Sequence, residues 1–449
     1  MEALEPKAGF AVQPRQAQES KAGCYLVMAY LLFEFGRPQE LIPGLRVIPF
    51  GTGLSVLILL KVLMSGKLDF SRLQTKLWIP LIAVMAIHVP IAVNNYWALM
   101  VFKDMFLLYC VYLGIVTFVD SLEKMMILIK MWMGIHGFLA VMGIAKGGVG
   151  IGAWMGDEND FCMVMNMAVP FGYFLLFSAT GVVQKMKYLG FLGTFILAAM
   201  ASLSRGGFMG LAAAGAYCWY RSPKKLNALI VVVVAVLFML VLAPEKYWDE
   251  IASSTSEETM GEQGTGGARL YTWGIGMKMF FANPIIGIGQ SNFPWTFDIY
   301  EAGERFHERS FAGRQSHSAW VTLIAELGLS GIVIIGAMLL LCYKDLKLVR
   351  KRFAPAESRL KHGLTVQAGE DVRVHLARAM EGSLIGFIVS GVFISILWYP
   401  SLWIMMALVV ALRNISEAQS GEALPAAVQT EHPWGVPLPR LGERPVSRL

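Results

Sequence analysis

The chain has 449 residues, 56% hydrophobic and only 16% charged, with a net charge of +6 and a mean hydropathy of +0.55. A soluble domain carries roughly a quarter charged residues, so repeated apolar runs near span length exclude an ordinary water-soluble enzyme and indicate an all-α polytopic membrane protein. The positive charge falls mainly in connections, where it orients spans, so no nucleic acid is expected as a partner.

Residues 1–22 are polar and of mixed charge. They read as a cytoplasmic N-terminal tail with no cleavable signal peptide. Transmembrane helices are then expected over 23–243, beginning with spans at 23–36, 47–64, 77–93, 101–119, 124–145 and 161–178. The run from Gly190 to Tyr217 is apolar except for Arg205, in Ser202-Leu-Ser-Arg-Gly206. It divides into spans at 186–203 and 206–221, followed by one at 226–243. Lys185 and Lys187 precede this hairpin, and Arg221, Lys224 and Lys225 follow it. Basic flanks favour the cytoplasm, which moves Arg205 from mid-membrane to the far rim.

Residues 244–316 form the one large extracytoplasmic connection. Its first part, Ser253 to Gly267, is rich in Ser, Thr, Glu and Gly and is expected to be mobile. Its second part has helical periodicity from Ala268 to Phe281, with Leu270, Trp273, Met277 and Phe280 on one side, and stops at Asn283-Pro284. Such a helix lies along a membrane surface, and so long a loop calls for a function. Residues 317–413 return to the membrane, with spans at 318–343, 382–397 and 399–413 around a cytoplasmic connection at 344–381 that carries nine Lys and Arg. The sum is about 12 transmembrane helices with both termini inside. Residues 414–449, polar and rich in Pro and Gly, read as a disordered cytoplasmic tail. The five cysteines stand singly in apolar segments, without disulfide or metal-site spacing.

Three basic elements meet at the extracytoplasmic face. Arg205 sits at the turn of its hairpin, Arg269 opens the surface helix, and Arg314 and His317 flank the entry to the tenth span. Arg205 could instead snorkel or cap a helix, although flanking glycines admit a bulky ligand or another backbone. Arg269 and Arg314 could be solvated loop charges, and His317 an interfacial histidine satisfied by backbone. Ser316 is the expected cap of the helix that His317 enters. There the positive end of the helix dipole and nearby arginines keep the imidazole neutral, and a neutral histidine is a competent base near pH 7. Guanidinium groups suit phosphate oxygens. Together these groups would activate a hydroxyl and stabilise a departing lipid-linked phosphate, the arginines replacing a metal's role. No Asp-x-Asp or His/Cys/Asp cluster suggests a metal, so neither metal nor cofactor is expected. Glu326, nine residues on, lies about 13 Å deeper on the opposite side of its helix and is expected to pair inside the bundle. Arg37, in Arg37-Pro-Gln-Glu40, is a further outer-face group that could bind substrate or serve its loop.

These residues resemble a known family. His317-Ser318, nine residues, Gly328, two residues and Gly331 resemble the histidine motif of bacterial O-antigen ligases. Ser202-Leu-Ser-Arg-Gly206 is similar to a signature of the wider ligase and polymerase superfamily. Arg269-Leu-Tyr-Thr-Trp273 through Asn283-Pro-Ile-Ile-Gly-Ile-Gly289 is similar to its loop pattern. The resemblance spans roughly 185–345 and includes the large loop, which it makes periplasmic. It implies a multi-pass protein of the bacterial inner membrane. Such an enzyme transfers glycan from undecaprenyl pyrophosphate to a sugar hydroxyl of lipid A-core at the periplasmic face, by metal-independent inverting glycosyl transfer. His317 would be the base, Arg205 and Arg269 the pyrophosphate clamp, and Arg314 and Arg37 further substrate-binding groups. Its partners would be the lipid-linked donor, the lipid A-core acceptor and membrane lipids. The superfamily also holds O-antigen polymerases and protein O-oligosaccharyltransferases. A lipid-linked glycan transporter is the alternative from another class. It would place ionisable groups near the bilayer midplane, often with internal repeats, whereas here the notable charges gather at one face and no repeat is seen.

Overall fold

A computed structural model describes residues 14–152, 155–222, 225–226, 265–303, 306, 311–354 and 371–421. The expected span at 226–243 and most of the Ser/Thr-rich stretch lie outside the described residues. So do residues 1–13 and 422–449 of the expected tails.

The regular elements are helices, in the order α1 (Pro14–Leu31), the short α2 (Pro38–Leu41), α3 (Phe50–Ser65), α4 (Leu73–Ile91), α5 (Asn95–Phe118), α6 (Leu122–Ala145), α7 (Glu158–Ser178), α8 (Val182–Ala201) and α9 (Arg205–Arg221). After the undescribed stretch come α10 (Thr265–Ala282), α11 (Phe293–Glu301), α12 (Ala319–Phe353), α13 (Val372–Ser390) and α14 (Pro400–Gly421). Six of these, α4, α5, α6, α7, α12 and α14, are long and apolar enough to cross a membrane. Among the described residues, then, six span-length helices stand against the expected count of about twelve, and the expected span at 226–243 is not among them. α3 and α9 are short, at 16 and 17 residues. α8 opens with Lys185 and Lys187, and α13 carries Arg373, Arg378 and Glu381.

Several boundaries move. The first helix begins at Pro14, nine residues before the expected start, and ends in a π-helical turn, Leu32–Gly36. α12 runs ten residues past 343, and α13 begins at Val372, so both ends of the supposed connection at 344–381 are helical. α14 continues to Gly421, past the expected start of the tail.

α7 and α14 are enclosed nearly all round, as helices apolar on every face should be. The α7 side chains from Asp160 to Leu175 are buried, as are those of α14 from Ser401 to Leu412. α8, α9 and α13 pack around α7, while α5, α12 and α13 pack around α14. α3, α4 and α5 instead leave rows of large apolar side chains uncovered, among them Leu60, Ile87 and Phe106. With six span-length helices, that outward apolar surface marks a membrane protein, because lipid rather than water is the solvent it suits.

α12 is interrupted at Gly328, whose φ of 60° and ψ of −150° are open only to glycine. The break is filled by the Pro284–Gly289 strap. Ile288 and Gly289 donate their amides to the Ala325 and Glu326 carbonyls at 3.0 and 2.9 Å. Leu329 and Ser330 donate to Pro284 and Ile285 at 2.8 and 2.9 Å. These four bonds pair backbone groups on both sides of the break, as a buried interruption requires.

Candidate functional site

Three helix N-termini converge at one end of the bundle. Asp157 caps α7, its Oδ1 accepting the Asn159 amide at 2.8 Å. Ser204 caps α9, its Oγ accepting the Gly207 amide at 2.9 Å and donating to Asn159 Oδ1 at 2.7 Å. One hydrogen-bonded chain therefore joins the starts of α7 and α9. Ser318 caps α12, its Oγ facing the Val321 amide at 3.4 Å. Helix N-termini carry unpaired amides and partial positive charge, so such an end favours an anion.

The cap of α12 corrects the expectation for Ser316. His317 stands before the first turn with φ +50°, a left-handed conformation strained for this residue. Ser316 braces the bend instead. Its buried hydroxyl contacts the Ser318 amide at 3.1 Å, the Ser318 carbonyl at 2.8 Å and the Thr322 hydroxyl at 2.8 Å. Outside, Trp273 donates its indole N–H to the Ser316 carbonyl at 3.0 Å.

Arg205 is the first residue of α9, and Arg269 is the fifth residue of α10, which begins three residues before the expected Ala268. Both line one cleft of about 180 Å³ together with Glu158, Asn159, Leu203, Ser204 and Gly206. Phe393 lies between the two elements: the Arg269 guanidinium is 6.0 Å from its ring centre, and a Cβ on Gly206 would come within 2.6 Å of its Cβ. The glycine thus admits a neighbouring side chain while still lining the cleft. Burial, and then the charge of Arg205, lower the pKa of Arg269. Two half-buried guanidiniums that repel each other would be relieved by an anion between them.

His317 is exposed to solvent, yet its surroundings hold its pKa below the ordinary value. Desolvation contributes most, then the Arg269 and Arg314 charges, opposed by Asp157. The shift favours the neutral ring, and desolvation and arginines rather than an N-terminal position inside the helix produce it. Of the expected group, Arg205 and Arg269 share the cleft; His317 is not among its lining residues and is related to it through the charge of Arg269, which acts on its ring. Arg314 is coupled to His317 but stands outside the cleft, exposed, with its guanidinium 5.0 Å from the Phe311 ring centre. Arg37 is also outside the cleft. It packs over Gly152, with Nε donating to the Glu34 carbonyl at 3.3 Å, and its charge acts on Tyr399, which is hydrogen-bonded to Asp160.

α10 keeps its helical period but not its expected face. Thr272, Ile275, Gly276 and Met279 are buried, Ile275 and Met279 in a satellite core with Phe293, Phe297 and Phe311. Leu270, on the expected face, is 66% exposed. Asp157, Asn159 and Phe393 were not singled out from sequence. The cap position of Asp157 before a helix was a usable signal, whereas nothing local marks Phe393. Among the described residues, no group of three or more His, Cys, Asp and Glu side chains could hold a metal ion.

Compared with known proteins, residues 190–336 match the family model described as O-Antigen ligase. No curated protein matches the chain significantly. The matched segment begins in α8 and ends in α12, and so includes Arg205, Arg269, Arg314 and His317.

Proposed function

From the premise that residues 190–336 are an O-antigen ligase family domain, we propose that this membrane protein transfers glycan from undecaprenyl pyrophosphate to a sugar hydroxyl of lipid A-core, at the periplasmic face of the inner membrane. The observation that carries this reading is the pairing of Arg205 with Arg269 in one cleft, beside a histidine held neutral. The guanidiniums supply forked donors for a pyrophosphate, and the converging helix N-termini add to the same field. His317 then takes the proton from the acceptor hydroxyl as its oxygen attacks the anomeric carbon. The bond from that carbon to the pyrophosphate oxygen breaks, and the leaving charge stays on the phosphate between the arginines. Attack opposite the leaving group inverts the anomeric centre. Arg314 and Arg37, outside the cleft, would touch the more distant parts of donor or acceptor.

The test is transfer by purified protein from undecaprenyl pyrophosphate glycan, with core lipid, a second repeat unit and a peptide offered as competing acceptors. Attachment to core lipid is expected. Preference for the repeat unit would make the protein a polymerase, and preference for the peptide a protein O-oligosaccharyltransferase. No transfer, with movement of the donor across a vesicle membrane, would make it a transporter.

A further inference from the structure

Glu326 is fully buried in α12, directly before the Gly328 break. Its carboxylate can only accept hydrogen bonds, and three donors reach it. Oε2 takes the Ser291 amide at 2.7 Å and the Trp398 indole N–H at 2.9 Å, and Oε1 takes the Phe293 amide at 3.1 Å. With its oxygens engaged and no exposed surface, it does not touch substrate.

We propose that Glu326 is a positioning residue for His317, acting through two arms that end on either side of that histidine. The assignment rests on the reading of His317 as the base. The first arm runs through the Ser291 and Phe293 amides into the start of α11. α11 packs on α10 through Phe293, Phe297, Ile275 and Met279. α10 carries Arg269 into the cleft and donates from Trp273 to the carbonyl of Ser316, the residue before His317. The second arm runs through Trp398 into the 391–399 turn. There the Gly391 carbonyl accepts the Ala319 amide at 2.8 Å, two residues after His317, and Ser395 Oγ lies 3.4 Å from Ser316 Oγ. The same turn carries Phe393, beneath Arg269. A strained residue such as His317 keeps its conformation only where its surroundings over-determine it. Here the chain on both sides of it, at Ser316 and Ala319, is tied to elements that a single carboxylate joins.

The strap across the α12 break keeps Glu326 itself in place. Its carbonyl accepts the Gly289 amide at 2.9 Å, so its backbone is anchored to the same connection that its side chain grips. Removing the carboxylate leaves two amides and an indole without acceptors in a dry site, and both arms loosen together. Arg269 then moves relative to His317, which alters the field on the imidazole. The charged groups acting on that ring are Arg269 from α10, Arg314 from its own loop and Asp157 from the start of α7.

The test uses the full chain in detergent, with carbon-13-labelled histidines assigned by His317→Ala, comparing wild type, Glu326→Gln, Glu326→Ala and Trp398→Phe. In wild type, His317 is expected to titrate below free histidine. In Glu326→Ala its titration moves up towards the free value. Glu326→Gln, which keeps one oxygen acceptor, and Trp398→Phe, which removes one donor, move it part of the way. Where Glu326→Ala does not fold, Trp398→Phe decides alone. An unchanged His317 titration in a folded variant overturns the proposal. In glycan transfer, Glu326→Ala should lower kcat by about a hundred-fold, the scale of a small misplacement of a reacting group, while the KM for donor stays near wild type. If His317→Ala transfers glycan as well as wild type, the reading of His317 as base fails, and the titration still decides the role of Glu326.

Discussion

The Trp273 indole donates to the Ser316 carbonyl at 3.0 Å, across 43 residues of sequence, and so couples the helix that bears Arg269 to the bend that bears His317. Trp273→Phe keeps most of the ring and removes one hydrogen bond, a loss of about 0.5–1.5 kcal/mol. The melting temperature should fall slightly. Transfer should fall further than stability, because the bond sets the relative position of clamp and base. Loss of stability with an unaltered kcat would show that Trp273 only holds α10 in place.

Arg205 and Arg269 are predicted to act as a pair on the leaving pyrophosphate. Either arginine changed to alanine should reduce transfer by roughly 10²–10³-fold, the usual cost of one preorganised donor to a developing charge. Lysine should recover little, since a point charge lacks the guanidinium fork. The check is a gel of lipopolysaccharide from a ligase-deletion host carrying each variant. Fully capped lipopolysaccharide from a well-inserted Arg205→Ala protein would remove Arg205 from the clamp.

Part of this arrangement was legible in sequence where it depends on local chemistry. Arg205 at the turn of its hairpin and Arg269 near the opening of a periodic segment have short-range signals, whereas the span expected at 318–343 carried no expectation of the break at Gly328. What sequence could not supply were relations between distant segments. Ser316 and Ser318 are both good caps by type; only the left-handed turn at His317 decides between them. α10 is apolar on more than one side, so its buried face was set by the partners Phe293 and Phe297 rather than by periodicity. Glu326 was expected to pair inside the bundle, and it does, but with two amides and an indole rather than with a cation. Phe393 reaches Arg269 from more than a hundred residues away.

The glycines of α9 differ in what they permit. A Cβ on Gly210 would collide with the Ser390 hydroxyl and come within 2.7 Å of Asn166 Nδ2, where α7, α9 and α13 meet. Gly210→Ala should therefore cost about 1–3 kcal/mol through overpacking. Gly215 faces open space, so Gly215→Ala should be neutral or stabilising by up to about 1 kcal/mol from helix propensity. Thermal denaturation of both variants in one detergent checks the contrast, and equal effects would contradict the packing described for α9.

Assigning the phosphate charge to arginines also predicts the response to chelation. Transfer by purified protein should survive EDTA and gain nothing from added Mg²⁺ or Mn²⁺, because guanidinium groups already stand where the charge develops. A requirement for either ion would refute the arginine-only account while leaving His317 as a possible base.

The acid side of the pH profile should report His317. Its pKa is lowered, first by desolvation and then by the Arg269 and Arg314 charges. A base works in its neutral form, so transfer should hold as pH falls to the ordinary histidine value of about 6.5 and decline only below it. Arg314 stands outside the cleft, so Arg314→Ala can move the limb without dismantling the clamp. Removing its positive charge makes the imidazolium easier to form, so the limb should shift to higher pH. Arg269→Gln should shift the limb of its residual activity further in the same direction, since Arg269 acts more strongly on the ring. Initial rates across the acid range for the three proteins make the comparison. A limb that stays fixed in both variants would mean that the group titrating in the profile is not His317.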